Sequence, residues 1–311
     1  MTRRAFAYNR RAAAFPPPLA PHMRRPADYA RLFAERQAAR FKFWRRWRGD
    51  DGGDPASIPP GAAIPFRCNL CGTPNTGTLA ALSRETLTCT HCGSNVRFRA
   101  MAYLVTREVL GRALALPDVP VRKDIAGIGL SDAHAYAQPL AEKFDYENTY
   151  YHTDPRVDIS DIDAARVGRY DFLIASDVFE HVLPPVARAF ENARRLLKPG
   201  GKFIFTVPFT LESETCEHFP DLHDWSLAET DGTWTLTNRT RDGREERFSE
   251  LVFHGGPGST LEMRVFSRAA LERAFRDAGF ARVRIASEPY LPFGIHWPEP
   301  WSVPMVAYAP K

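Results

Sequence analysis

Four cysteines carry the densest chemical signal in the chain. Cys68 and Cys71, followed by Gly72, form one Cys-x2-Cys-Gly unit; Cys89 and Cys92, followed by Gly93, form a second, with seventeen residues between them. Each trailing glycine lets backbone N–H groups turn towards sulfur, and four thiolates so spaced suit tetrahedral zinc. A closed four-sulfur shell leaves no open position, so the expected site folds a small zinc ribbon or knuckle rather than performing hydrolysis. Close pairing of this kind argues for metal in a reducing compartment over disulfides. His91 reads as a bystander inside the second knuckle, and the fifth cysteine, Cys216, as a small buried hydrophobe.

Histidine supplies the second signal. His181 closes the run Ser176-Asp177-Val178-Phe179-Glu180-His181, His218 sits in Glu217-His218-Phe219, and His254 opens His254-Gly255-Gly256-Pro257-Gly258. Imidazole has the right pKa to take a proton from a sugar or phenol hydroxyl, which makes these three the candidate bases. Each also has a plain alternative, a ring hydrogen-bonded to loop backbone.

The elements that must position these groups can be read next. Asp171-Phe172-Leu173-Ile174-Ala175 is apolar without alternation, the pattern of a parallel strand covered on both faces, and the acidic, imidazole-bearing turn lies at its carboxyl end, where ligands bind in open α/β sheets. Pro184 and Pro185 suit a first helical turn; Val186, Phe190, Ala193 and Leu197 recur at helical spacing; Arg194, Arg195 and Lys198 complement the dipole, and Pro199-Gly200-Gly201 stops the helix. Lys202 to Val207 is the next strand.

These residues, with Asp177 to Val182 reading DVFEHV and the later run reading RRLLKPGGKFIFTVP, resemble the class I S-adenosylmethionine-dependent methyltransferases of the methyltransferase type 11 kind, over about residues 120 to 311. The resemblance implies a Rossmann-like α/β fold: a seven-stranded, mostly parallel sheet with an antiparallel last hairpin, from Val283 to Ile285 and Val303 to Tyr308, preceded by the zinc module. It further implies S-adenosylmethionine as cofactor beside zinc. Gly127 and Gly129, in Asp124-Ile125-Ala126-Gly127-Ile128-Gly129-Leu130, fall where that family brings backbone against the methionine end of the cofactor. The usual acid two positions before the first glycine is replaced by Ile125, and the third glycine is absent. Asp154 falls where the family's acid receives the ribose hydroxyls, with Asp158 the competitor; Asp161 resembles the acid near the adenine amino group, and Asp177 completes the cofactor-binding set.

Three divisions of the chain follow: 1–60, a basic arm, helix and linker; 61–100, the four-cysteine module; and 101–311, the methyltransferase domain with a capping insertion at about 209–266. In that insertion, Trp234 to Thr240 and Arg247 to His254 alternate as strands around Arg241-Asp242-Gly243. Arg97 and Arg99, in the helix expected over about 97–114, could hold an anionic group or serve as ion-paired structure. Ser267 is expected to cap a helix through Ala278.

Residues 1–48 carry thirteen Arg or Lys against Asp28 and Glu35, while the other 263 residues hold 28 basic and 35 acidic side chains. The basicity is therefore local, and the amphipathic pattern of residues 28–48 suits an anionic membrane surface or packing on the protein's own body. Apolar runs too short for a bilayer span give the expectation of a cytoplasmic protein, with a peripheral place on the inner face of the membrane as an option. The expected acceptor is a small molecule, sugar or lipid-linked glycan. An RNA methyltransferase using the module and arm, and a non-catalytic cofactor-domain platform, are the rival readings; no basic and aromatic run marks the expected active-site face for nucleic acid.

Overall fold

The structure is a computed structural model and describes residues 52–311. The basic arm and the helix expected over 28–48 lie outside the described residues. The described chain opens with the hairpin β1 (Ile64–Arg67) and β2 (Pro74–Gly77), which pair antiparallel, and continues into helix α1 (Val96–Leu110). Asn95 caps α1 by accepting from the Phe98 N–H at 2.8 Å, and Gly111 ends it at φ 71°, a left-handed cap that costs glycine no steric clash.

The Rossmann-like part follows as β3 (Arg122–Leu130), α2 (His134–Lys143, with Pro139 inside), β4 (Phe144–Thr149), β5 (Tyr170–Ser176), α3 (Ala187–Leu196) and β6 (Leu197–Thr206). Short strands make up the insertion: β7 (Phe209–Thr210), β8 (Cys216–Glu217), β9 (Asp224–Thr230), β10 (Thr233–Arg239), β11 (Glu245–Phe248), β12 (Phe253–His254), β13 (Thr260–Leu261) and β14 (Arg264–Ser267). Helix α4 (Arg268–Asp277), β15 (Arg282–Ile285) and β16 (Met305–Tyr308) complete the chain, with Ser267 capping α4 through the Ala270 N–H at 3.1 Å.

The central sheet has the order β15-β16-β6-β5-β3-β4, with β4, β3, β5 and β6 parallel and β16 antiparallel to both its neighbours. Among the described residues it has six strands, one fewer than the seven expected from the resemblance. After β4 the chain makes one isolated bridge, Tyr150 with Arg156, and a 3-10 turn at Ala164–Arg166 instead of an edge strand. Asp154, Pro155, Asp158, Asp161, Asp163 and Gly168 fill that stretch, residues that disfavour a pleated ladder.

Strand β5 is buried along nearly its whole length, as a strand covered on both faces must be. Helix α3 presents Ala189, Phe190, Ala193 and Leu196 to it, and Phe179, Phe203, Phe205 and Phe275 join the same core in edge-to-face ring contacts. The helix stops at Leu196, and Lys198-Pro199-Gly200-Gly201 is absorbed into β6 as an irregularity opposite Tyr170 to Phe172, with Gly200 at φ 72°. In the insertion β14 lies between β7 and β8, while β9, β10 and β11 form a separate antiparallel sheet over a small core of Phe219, Leu236, Leu261 and Met263. The hairpin at Arg241-Asp242-Gly243 is present; strand β9 is additional to the two expected there. Cys216 is exposed, contrary to the buried position expected of it, because β8 pairs only with β14 and nothing among the described residues covers its outer side.

Candidate active site

Six residues after the last residue of the β5 apolar run, the Phe179–His181 turn ends at His181. The insertion is pinned against this turn: the Met263 N–H donates to the Glu180 carbonyl at 2.8 Å, and the fully buried Arg264 donates through Nη1 to the carbonyls of Phe179 (3.1 Å) and Val182 (2.6 Å). Arg264 Nε also pairs with Glu217 at 2.8 Å. These contacts bring all three sequence-predicted histidines to one place. The His181 and His254 rings meet edge to face with centroids 4.6 Å apart. Glu262, itself buried, joins His218 Nε2 at 2.9 Å and His254 Nε2 at 3.1 Å.

Glu180 lies beneath them with no exposed surface; its Oε1 is 3.7 Å from His181 Nε2 and 3.8 Å from His254 Nδ1, and neither carboxylate oxygen has a hydrogen-bond partner. Burial, reinforced by the charge of Asp177, pushes its carboxyl well above the usual range. Burial also pulls His181 below the ordinary imidazole value, and its Nδ1 lies 2.9 Å from the Leu261 carbonyl. A carbonyl can only accept, so Nδ1 carries the proton and Nε2 presents its lone pair. Glu180 and Glu262 were not named as site residues in the sequence. The first was legible as part of the Glu-His turn; the second, in Leu261-Glu262-Met263, carries no sequence signal and reaches the site only through the pairing of β12 with β13.

The acid at the head of the turn is held by arginines. Asp177 adopts φ 56°, and its carboxylate binds Arg84 Nη2 at 2.6 Å and Arg97 Nε at 3.3 Å. Arg84 also donates to Thr206 Oγ1 (3.0 Å) and the Ser302 carbonyl (3.1 Å); Arg97 donates to Ser176 Oγ (2.8 Å) and to Glu85. Burial alone would lower the Arg97 pKa, but Glu85 and Asp177 more than offset it. The two arginines from the cysteine segment thus bind the ends of β5 and β6 through Asp177, Thr206 and Ser176.

The other expected cofactor residues lie along β3 and past β4. Gly127 and Gly129 face the protein's own interior: a Cβ at Gly127 would stand 2.2 Å from the Phe172 ring, and one at Gly129 only 1.9 Å from the Tyr146 hydroxyl and 2.3 Å from Asp132 Oδ2. Past β3, Ser131 turns at φ 56° with its N–H donating to the Thr149 carbonyl, and Asp132 is buried, accepting from Tyr136 and Tyr146 hydroxyls. Burial raises the Asp132 carboxyl to about 7. Asp154 and Asp161 are exposed in the connection from β4 to β5, whereas Asp158 is half-buried and accepts from the Ser160 N–H at 2.8 Å. Ribose hydroxyls donate and call for an acceptor carboxylate with free lone pairs, which exposed Asp154 offers better than Asp158 in its Asx turn.

In the cysteine segment the sulfurs of Cys68 and Cys92, and of Cys71 and Cys89, are 3.6 Å apart, and all four lie within 4.8 Å of one another. Four sulfurs at about 2.3 Å from a tetrahedral centre stand about 3.8 Å apart, so the set fits one zinc ion. Both knuckles close through backbone, Gly72 N–H to the Cys68 carbonyl at 2.8 Å and Gly93 N–H to the Cys89 carbonyl at 3.0 Å, so the glycine N–H groups meet oxygen and not the sulfur expected of them. Arg99, fully buried, donates to Thr88 Oγ1 and the Ser94 carbonyl at 2.9 Å and to the Gly294 carbonyl at 2.8 Å, and its guanidinium lies 4.9 Å over the Phe66 ring. It braces the segment; it does not present a charge to solvent.

A family model described as a methyltransferase domain matches residues 111–285, more than half the chain. Among curated proteins, a highly reducing polyketide synthase of Hypocrea jecorina is 31% identical over 119 residues, which are 38% of this chain and 4% of that protein's length. Among solved structures, a 1,6-didemethyltoxoflavin N1-methyltransferase of Burkholderia thailandensis is 16% identical with a TM-score of 0.38, covering 68% of this chain and 79% of that one. A sugar N-methyltransferase of Streptoalloteichus is 15% identical with a TM-score of 0.40, covering 69% and 88%.

Proposed function

The chain belongs to the methyltransferase domain family, S-adenosylmethionine-dependent enzymes, and from that premise we propose that it methylates a hydroxyl of a small-molecule or sugar acceptor, with the histidine cluster beside β5 handling the proton. The observation that carries this reading is the convergence of His181, His218 and His254 on the Glu180 turn, held there by an insertion that the sheet itself does not need. S-adenosylmethionine, when bound, supplies a methyl sulfonium that is already a strong electrophile. The chain's own task is then to align an acceptor, exclude water and take up one proton.

His218 is the base we assign. Its Nε2 is held 2.9 Å from Glu262, and a carboxylate there orients the ring and stabilises the imidazolium formed when the other nitrogen accepts a proton. Asp154 would receive ribose hydroxyls and Asp161 the adenine amino group. Zinc on Cys68, Cys71, Cys89 and Cys92 would hold the N-terminal segment in shape, and Arg84 and Arg97 would carry that rigidity to the strand ends. A lipid-linked glycan as acceptor belongs to the same reading, since the basic residues of 1–48 suit an anionic surface.

Incubating the full chain with methyl-labelled cofactor and cell extract divided into small-molecule, lipid-glycan and RNA fractions tests the proposal. Label entering the first or second fraction, with a loss of at least about a hundredfold on His218→Ala, is the expected result. Label confined to RNA would overturn the acceptor class, and cofactor binding with no transfer into any fraction would leave a binding platform.

A further inference from the structure

We propose that Glu180, His181 and His254 form a second metal site, distinct from the four cysteines, that takes a divalent transition-metal ion such as zinc, iron or manganese. It does not depend on the acceptor class proposed above. One ligand atom from each of the three residues lies within 4.8 Å of the others, with His181 Nε2 at 3.7 Å and His254 Nδ1 at 3.8 Å from Glu180 Oε1. Ligand atoms about 2.1 Å from a common ion stand roughly 3.0 to 3.5 Å apart, so small side-chain rotations bring the three into a coordination shell.

Independent of that spacing, the Glu180 carboxyl has room for a partner that the described residues do not supply. Glu180 is completely buried, and both its oxygens lack a hydrogen-bond partner. Buried without partners, such a carboxyl stays neutral unless a cation shares its pocket, and an ion held with it by two imidazoles supplies the compensation that lets it ionise. The nearest groups, the two imidazole nitrogens, are those that would share an ion with it.

On His181 the nitrogen that faces Glu180 is the one left with a lone pair, and His254 turns its Nδ1 to the same carboxylate. His181 donates Nδ1–H to the Leu261 carbonyl at 2.9 Å, which fixes Nε2 as the acceptor nitrogen. His254 Nε2 lies within ion-pair reach of Glu262, at 3.1 Å, which turns Nδ1 towards Glu180. Metal-binding histidines characteristically give their second N–H to a carbonyl or a carboxylate; His181 does so to Leu261, and His254 has Glu262 beside its second nitrogen. Two imidazoles and one carboxylate select a first-row transition ion over magnesium or calcium, which prefer all-oxygen shells, and three protein ligands leave positions open for a hydroxyl or water.

The test uses the full chain, purified, freed of loosely bound metal by chelator, then equilibrated with cobalt(II), gel-filtered and analysed for metal and absorbance. The expected result is two equivalents per chain, one with intense thiolate charge-transfer bands and one with weak ligand-field bands alone. His254→Ala and Glu180→Gln should each remove the second equivalent and spare the first, whereas Cys89→Ser should remove the thiolate bands and spare the second. Glu262→Gln, acting through His254, should weaken the second site by about 10- to 100-fold. Should Glu180→Gln fail to fold, His254→Ala decides, since that residue lies on the partly exposed β12. A single equivalent lost with Cys89→Ser and indifferent to His254→Ala would overturn the proposal and leave Glu180 a buried neutral acid. So would a second equivalent that survives both Glu180→Gln and His254→Ala. Metal uptake is read without turnover, so a protein that binds cobalt here but methylates nothing separates this site from the proposed reaction.

Discussion

Two carboxylates show how differently the same group behaves by surroundings. Asp154 is exposed while Asp158 accepts from the Ser160 N–H. Asp154→Ala is therefore expected to weaken S-adenosylmethionine binding by roughly 1.5 to 3 kcal/mol, the worth of a charge-assisted hydrogen bond, and Asp158→Ala by much less; calorimetric titration of both variants checks it, and equal losses would place the ribose elsewhere. Asp132 is the opposite case, buried and raised to about 7. Its pKa is near 3.9 in an unfolded chain. The folded state holds the proton more tightly, so this group's stabilising contribution is complete below about pH 4 and is lost as pH rises to about 7, at up to roughly 1.4 kcal/mol per unit. Denaturant midpoints measured across that window should fall with pH in the wild type and less steeply in Asp132→Asn. The histidines were legible from residue type and spacing alone, because imidazole near a strand end is a chemical signal. Their partners Glu180 and Glu262 were less so, since pairing across the β12–β13 hairpin decides who meets whom.

At the scale of elements, β5 with its turn, helix α3 and strand β6 follow directly from apolar runs and helical spacing. The missing seventh strand and the strand character of Leu197 to Gly201 did not, because both depend on neighbours: an edge needs a partner rich in β-formers, and the Pro-Gly-Gly stretch is held by β5 and the C-terminus, with the Gly200 N–H donating to the Pro310 carbonyl at 2.8 Å. The glycines of β3 have a packing reason of their own. Gly129 has no room for a methyl group because Tyr146 and Asp132 fill the space. Gly129→Ala should destabilise the fold by about 1 to 3 kcal/mol, as overpacking does, and pairing it with Tyr146→Phe, which removes the nearest atom, should recover part of the loss in thermal unfolding. No recovery would mean that the backbone, not the side chain, sets the constraint.

Over the whole molecule, charge is divided more sharply than fold. Thirteen basic residues stand in 1–48 against two acids. Deleting 1–48 is expected to leave cofactor binding intact and to reduce flotation with anionic vesicles, and the intact chain's binding should fall steeply with salt because screening acts over about 8 Å at physiological ionic strength. Equal flotation by both forms would assign the segment to packing. No helix among the described residues is long and apolar enough to cross a membrane.

The arginines of the cysteine segment make that segment unsuited to exchange. Arg84 finds its partners at Asp177, Thr206 and Ser302, Arg97 at Ser176 and Asp177, and Arg99 at Gly294. Those partners span most of the sequence from the second knuckle to the last hairpin, so the knuckles cannot be grafted onto another sheet, or dropped from this one, without stranding guanidinium groups at one end and leaving Asp177 unanswered at the other. Removing the segment would therefore be felt at the ends of β5 and β6 and at Gly294, far from the sulfurs.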